Sequence, residues 1–158
     1  MQLSSRPVSF CLVPAAYVLL LRDDGREVLL QRRQNTGYRD GYWAAAAAGH
    51  VEPDEPVHLA ACREAAEELG VTIEPHALAP LTAMHRTHGN GQPIDERVDF
   101  FFTCDHWVGE PRRVEQAKTA ELRWCQLDAL PDPVVPHERF VLEHLRAGDA
   151  PAITTFGF

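Results

Sequence analysis

The sequence predicts an α/β fold, a mixed β-sheet covered by helices. Three observations point there. Segments with strand character come first, then one helical segment, then strands again, then a last helical segment, an order suited to a layered sheet. The chain has 158 residues, enough to bury one full hydrophobic core. No linker interrupts it, so residues 1–158 read as a single domain.

Residues 9–22 read as a long strand bent at Pro14, and Asp24-Gly25 is a turn signal leading to a partner strand over 28–33. Residues 34–41 are polar and contain glycine, so they read as a loop. Residues 42–48 form a short apolar segment ending at Gly49, and 49–56 form a turn-rich loop with two prolines and several acids. The clearest helix covers 57–69, rich in alanine and glutamate, with Gly70 just past its end. Residues 71–74 and 81–86 look extended, and 87–93 is a loop with two glycines. Over 96–104, Val98, Phe100, Phe102 and Cys104 share one face while Arg97, Asp99, Phe101 and Thr103 share the other, the alternation of a strand. A short strand surrounds Trp124 at 121–126. A final helix covers 137–146, with Phe140, Val141 and Leu145 at core spacing.

Composition narrows the functional classes. The apolar share of 45% and charged share of 24% are ordinary for a soluble globular protein. A net charge of −8 argues against stable nucleic-acid binding, which draws on a basic surface. An anionic small molecule remains compatible if cations stand between it and the acids. Cys11, Cys62, Cys104 and Cys125 are too scattered for a zinc knuckle or redox motif and read as reduced thiols of a cytoplasmic protein. Arg6 and the apolar stretch 8–21 imitate a secretory signal. Pro14 interrupts that stretch, no small-residue cleavage site follows, and it is too short to span a membrane.

The helix over 57–69 carries the chemistry. At about 100° per residue, Glu67 lies about 60° to one side of Glu64 and Glu68 about 40° to the other. Three carboxylates therefore fall in one arc. Cys62, Ala65, Ala66 and Leu69 point the opposite way and are expected to pack on the sheet, while Ala60 and Ala61 leave room beside the acids. Like charges at these spacings repel by roughly a few tenths of a kcal/mol per exposed pair. Hard divalent cations with oxygen ligands remove that penalty, and Mg²⁺ or Mn²⁺ is the expected choice. Taken alone, such an acidic face is as readily a solvated helix surface.

The surroundings decide. Gly49 is followed by five residues, Glu55, seven residues, Arg63-Glu64-Ala65-Ala66-Glu67-Glu68-Leu69-Gly70 and Val71. This resembles the Nudix box, with every fixed position filled. His50 stands where many members have a second glycine, which concerns loop shape and leaves the acids intact. The resemblance implies an α/β/α sandwich with the box as loop–helix–loop, and hydrolysis of a phosphoanhydride bond in a nucleoside diphosphate derivative. It implies Glu64, Glu67 and Glu68 as metal ligands, joined by the Gly49 carbonyl. It implies Glu55 and Arg63 as the pair bracing loop against helix. Glu52, in the loop, is a candidate to reach the cluster.

In such an enzyme, metals neutralise phosphate charge and acidify a bound water, and a carboxylate takes its proton. Glu67 and Glu68 are the candidate bases within the box, Glu115 and Glu121 those outside it. Arg32, Arg33, Arg86 and Arg97 read either as phosphate ligands or as surface ion pairs. Tyr38, Tyr42, Trp43 and Phe101 read either as stacking surfaces for a base or as core. Residues 36–43, 95–102 and 121–124 resemble a MutT-like group that splits nucleoside triphosphates into monophosphate and pyrophosphate. ADP-ribose, nucleotide sugars and dinucleoside polyphosphates are alternative substrates. A non-catalytic nucleotide sensor would show damaged box acids, and none is damaged. An isoprenoid diphosphate isomerase would show an extra cysteine motif that is not evident here. The expected partner is a small nucleotide, with no membrane, and a homodimer is left open.

Overall fold

The computed structural model describes residues 9–158. Arg6 and Val8, weighed above as part of a signal-like stretch, lie outside the described residues. The strands are β1 (Val13–Arg22), β2 (Glu27–Arg33), β3 (Trp43–Ala45), β4 (Ala47–His50), β5 (Ala79–Arg86), β6 (Arg97–Cys104), β7 (Thr119–Gln126) and β8 (Ile153–Phe156). The helices are α1 (Val57–Leu69) and α2 (Pro136–Ala147). Eight strands form one mixed sheet in the order β3-β2-β1-β6-β5-β8, with β4 on β1 and β7 on β2.

One departure from regular pairing creates the functional face. β1 and β2 pair only at Leu21–Val28 and Arg22–Glu27. Beyond that they separate, and β4 takes the vacated edge of β1, pairing Ala15 with His50 through Val18 with Ala47. β1 also runs parallel to β6, from Val13 beside Arg97 to Leu20 beside Cys104. It is thus covered on both faces, which explains why it reads as a continuous apolar run. Ala16, Val18 and Leu20 face the layer of α1, with Phe102 and Cys104. Ala15, Tyr17 and Leu19 face the layer of α2, with Phe101 and Val141. The result is the expected α/β/α sandwich.

Several boundaries differ from the sequence reading. The first strand begins at Val13, because its partner β6 begins opposite at Arg97 and Phe10 lies in solvent. Residues 71–74 pair only through Thr72 with Val108, although Val71 and Ile73 are buried. The apolar segment before the box is two strands, β3 and β4, parted at Ala46. β8 was not foreseen. It is four residues long and half threonine, and it pairs in parallel with β5, where the Thr154 and Thr82 hydroxyls share a hydrogen bond of 3.0 Å.

The packing face of α1 is the main correction. Ala60, Ala61, Ala65 and Leu69 are buried, while Ala66 is exposed. Around the helix these buried positions bracket Glu64 and Glu68, so the acidic arc overlaps the packed face instead of opposing it. Alanines permit this because they bring the helix backbone close to β1 and β4. A larger side chain at Ala65 should lower stability by about 1–3 kcal/mol through overpacking. The same change at exposed Ala66 should stay within about 0.5 kcal/mol. Urea unfolding of Ala65→Leu and Ala66→Leu checks this, and equal midpoints would contradict the assigned face.

Candidate active site

The close approach of α1 sets the acids against main chain. The Ala48 N–H donates to Glu68 Oε2 at 2.8 Å. A side chain on Gly49 would occupy the space of the Glu64 carboxyl group, so any larger residue would push that carboxyl aside. Burial pushes the Glu68 carboxyl up to about 8; the Ala48 N–H opposes this, and the charges of Glu64 and Glu115 add to it. Burial also raises Glu64, against the pull of Arg63. Glu67 is the exposed member of the set.

Arg63 ties the loop to the helix. Its Nε donates to Glu55 Oε1 at 2.8 Å and its Nη2 to Glu55 Oε2 at 3.1 Å, a two-point pair. Nη2 also reaches the His50 carbonyl at 3.0 Å, and Nη1 reaches Glu64 at 2.7 Å and Glu67 at 3.2 Å. Bonding to Glu55 holds the guanidinium well above its ordinary range. Glu55 further accepts the Glu52 N–H at 2.9 Å, while the Glu52 residue itself is exposed. Among the described residues no three His, Cys, Asp or Glu side chains already converge as a metal site. Arg63 instead engages Glu64 and Glu67. The donor set still fits a hard divalent cation. Its members are carboxylate and carbonyl oxygens, Glu64 lies against a glycine, and Glu68 is a half-buried carboxyl held by a neutral N–H.

Glu68, Gly49 and His50 open on a cavity of about 310 Å³ where β1 and β2 diverge. Arg33, Arg86 and Arg97 line it too. Asp99, fully buried, aims two of them: Arg86 Nε donates to Oδ2 at 2.6 Å, and Arg97 Nε lies 3.5 Å from Oδ1. Arg97 Nη1 donates to His50 Nε2 at 2.7 Å. Burial and the Arg97 charge lower the proton affinity of His50. Arg33 Nε donates to the Tyr38 carbonyl at 2.9 Å. Two positive charges around one buried carboxylate leave a surplus suited to phosphate oxygens. A larger hollow of about 530 Å³, beside Asp23, Asp24 and Trp107, contains none of the box residues.

The remaining candidates separate cleanly. Tyr38 lines the cavity, its ring stacked near His88 at 6.1 Å. Phe101, expected as a possible stacking surface, is core instead: it is buried and stacks on Tyr17 at 4.4 Å. Trp43 is buried as well. Arg32 pairs with Glu121 at 3.8 Å, and Glu121 also pairs with Arg123. Glu115, by contrast, acts electrostatically on both Glu64 and Glu68. Sequence reasoning missed Asp99, Tyr17, His137 and Glu138. An ionisable residue amid the alternating apolar positions of β6 was the available signal for Asp99.

The NUDIX domain family matches residues 12–145. The chain is 32% identical over 138 residues to the NAD-capped RNA hydrolase NudC of Stutzerimonas stutzeri, covering 85% of this chain and 43% of that protein. It is 30% identical over 106 residues to an isopentenyl-diphosphate Delta-isomerase of Saccharopolyspora erythraea, covering 66% and 55%. The chain thus spans about half the length of these curated relatives. A solved structure of a MutT NUDIX hydrolase from Burkholderia pseudomallei is similar at a TM-score of 0.73 and 31% identity, over 84% of this chain and 97% of that one. The chain belongs to the Nudix family. Nudix hydrolases in general use divalent metal ions and act on small nucleotide substrates. Among the described residues no helix is long and apolar enough to cross a membrane.

Glu138 gives this region a pH signature. Burial raises its carboxyl to about 7; the Ala45 N–H and Arg33 pull it down, while Asp99 pushes it up. The folded state therefore holds a proton that the unfolded state releases near 4.5. Stability falls as pH rises between those values, by about 3 kcal/mol for this group. Glu138→Gln should remove that share of the pH dependence. Urea midpoints of both proteins at pH 5 and pH 8 measure it, and parallel losses in the two would contradict the assignment.

Proposed function

We propose that this enzyme hydrolyses a phosphoanhydride bond in a nucleoside diphosphate derivative, with a nucleoside triphosphate cleaved to monophosphate and pyrophosphate as the leading reading. The observation that carries it is one cavity lined both by Glu68 and Gly49 of the box and by Arg33, Arg86 and Arg97. Glu64, Glu67, Glu68 and the Gly49 carbonyl would hold Mg²⁺, with Mn²⁺ as a substitute. When bound, the ion supplies charge neutralisation on the phosphates and acidifies water.

The chain's own groups do the rest. Arg86 and Arg97, held by Asp99, and Arg33 bind and orient phosphate oxygens. Arg63 and Glu55 keep the loop fixed on the helix while Glu64 and Glu67 turn to their ligand role. Glu68, which lines the cavity, is the first candidate to take a proton from the attacking water. Glu67 is the second candidate, and Glu115 the one outside the box with a charge reaching the cluster.

The similarity to an isomerase receives no support from the cysteines. None of the four lines this cavity. Cys104 donates to the His106 carbonyl, and burial raises its thiol above the ordinary range. A thiolate-based centre would need the opposite shift.

Glu67→Gln and Glu68→Gln should each lower turnover at least about 100-fold, the share of a positioned acid–base group. Circular dichroism should remain unchanged. Excess EDTA should abolish activity in the parent protein. Near-normal rates in both variants, or full activity in EDTA, would sink the proposal.

A further inference from the structure

We propose that His50 is a positioning residue: its ring holds the Arg97 guanidinium across β1, so that the free edge of that group meets a phosphate oxygen beside the box acids. This rests on the phosphate reading of the cavity given above and names the group that directs one of its arginines.

The arrangement follows from strand register. His50 ends β4 and stands opposite Ala15 of β1, and Ala15 stands beside Asp99 of β6. Arg97 precedes Asp99 by two residues and so shares its face. β4 and β6 flank β1 on either side, which puts them two strand spacings, or about 10 Å, apart. The Arg97 side chain crosses that gap, and its Nη1 donates to His50 Nε2 at 2.7 Å. Ala15, the buried residue between the two strands, carries only a methyl group and leaves room for the crossing.

Asp99 does not fix the direction of this guanidinium. Its Oδ2 is taken by Arg86 at 2.6 Å. Its Oδ1 lies 3.5 Å from Arg97 Nε, and neither of these buried atoms has a hydrogen-bond partner among the described residues. Asp99 thus supplies opposing charge, while His50 supplies the side-chain hydrogen bond that orients Arg97. The His50 main chain is itself held, since its carbonyl accepts Arg63 Nη2 at 3.0 Å. Through His50 the brace of the box loop is joined to the arginine wall.

The kind of acceptor matters. An Nε2 that accepts from a guanidinium is unprotonated, so the ring gives direction without cancelling charge. A carboxylate at this place would neutralise Arg97 and weaken its pull on an anion. Arg97 Nη2 makes no hydrogen bond among the described residues and remains for a ligand oxygen. Arg97, His50, Gly49 and Glu68 line one cavity, so one ligand can meet them all.

A double-mutant cycle tests this. Calorimetry measures pyrophosphate affinity, with Mg²⁺ present, for the parent, His50→Ala, Arg97→Ala and the combination. His50→Ala should weaken binding about tenfold, and Arg97→Ala at least as much. Adding His50→Ala to Arg97→Ala should cost less than about twofold, because the ring acts through the arginine. His50→Gln carries an amide oxygen near the position of Nε2 and should restore affinity to within about threefold of the parent. The shorter His50→Asn should not. A disturbed loop, or a direct contact between His50 and the ligand, would go on costing affinity without Arg97. Additive losses would therefore overturn the proposal. So would parent-like affinity in His50→Ala, a His50→Gln no better than His50→Ala, or a parent that does not bind pyrophosphate. No nucleotide is cleaved in this assay, so a parent that binds pyrophosphate but hydrolyses no nucleotide would fail the hydrolytic reading alone.

Discussion

Everything at this site depends on how closely α1 approaches β4. Ala60, Ala61 and Ala65 let the helix backbone settle on the sheet, and Gly49 removes the last obstacle on the facing strand. Glu64 and Glu68 are carried into that contact with it. Carboxylates so placed are poorly hydrated and mutually repelling, and Glu68 has only a main-chain N–H for compensation. Such an arrangement is unstable as a plain surface and sensible as a cation site. Arg63 compensates part of the charge, and its two-point pair with Glu55 keeps the loop from moving away.

The second constraint is the early parting of β1 from β2. It opens a cavity between two halves of one sheet, so groups from distant parts of the chain meet there. β5 and β6 contribute Arg86, Asp99 and Arg97, and α2 contributes His137 and Glu138. Asp99 links these elements. Without a buried carboxylate, Arg86 would be a buried and unpaired cation. With it, two guanidiniums face the same space as the acids.

Much of this was legible beforehand. The spacing of Gly49, Glu55, Arg63, Glu64, Glu67 and Glu68 named the family, and Gly70 marked the helix end that the structure shows. The angular arc of the acids was right, but its relation to the core was not. Periodicity places residues around a helix without saying which arc is packed, and alanine serves on either side. β8 was invisible because two threonines in four residues carry little hydrophobic signal. Asp99 and Glu138 were missed for a different reason. Their meaning lies in contacts made across the sheet, to Arg86 and to Ala45, which no local pattern encodes. Phe101 had the composition of a ligand-stacking residue, and its buried place on β6 beside Tyr17 of β1 decides for the core.

The central claim is that the buried acids and the arginine wall act together on a phosphoanhydride. Its most direct measurement is hydrolysis of a nucleotide panel with Mg²⁺ in ¹⁸O-labelled water, with the products analysed by mass. The panel should include nucleoside triphosphates, ADP-ribose, nucleotide sugars and dinucleoside polyphosphates. The expected result is a nucleoside monophosphate and its partner phosphate product, with label on one phosphorus only. No cleavage of any member, or release of inorganic phosphate alone from the triphosphates, would contradict the account.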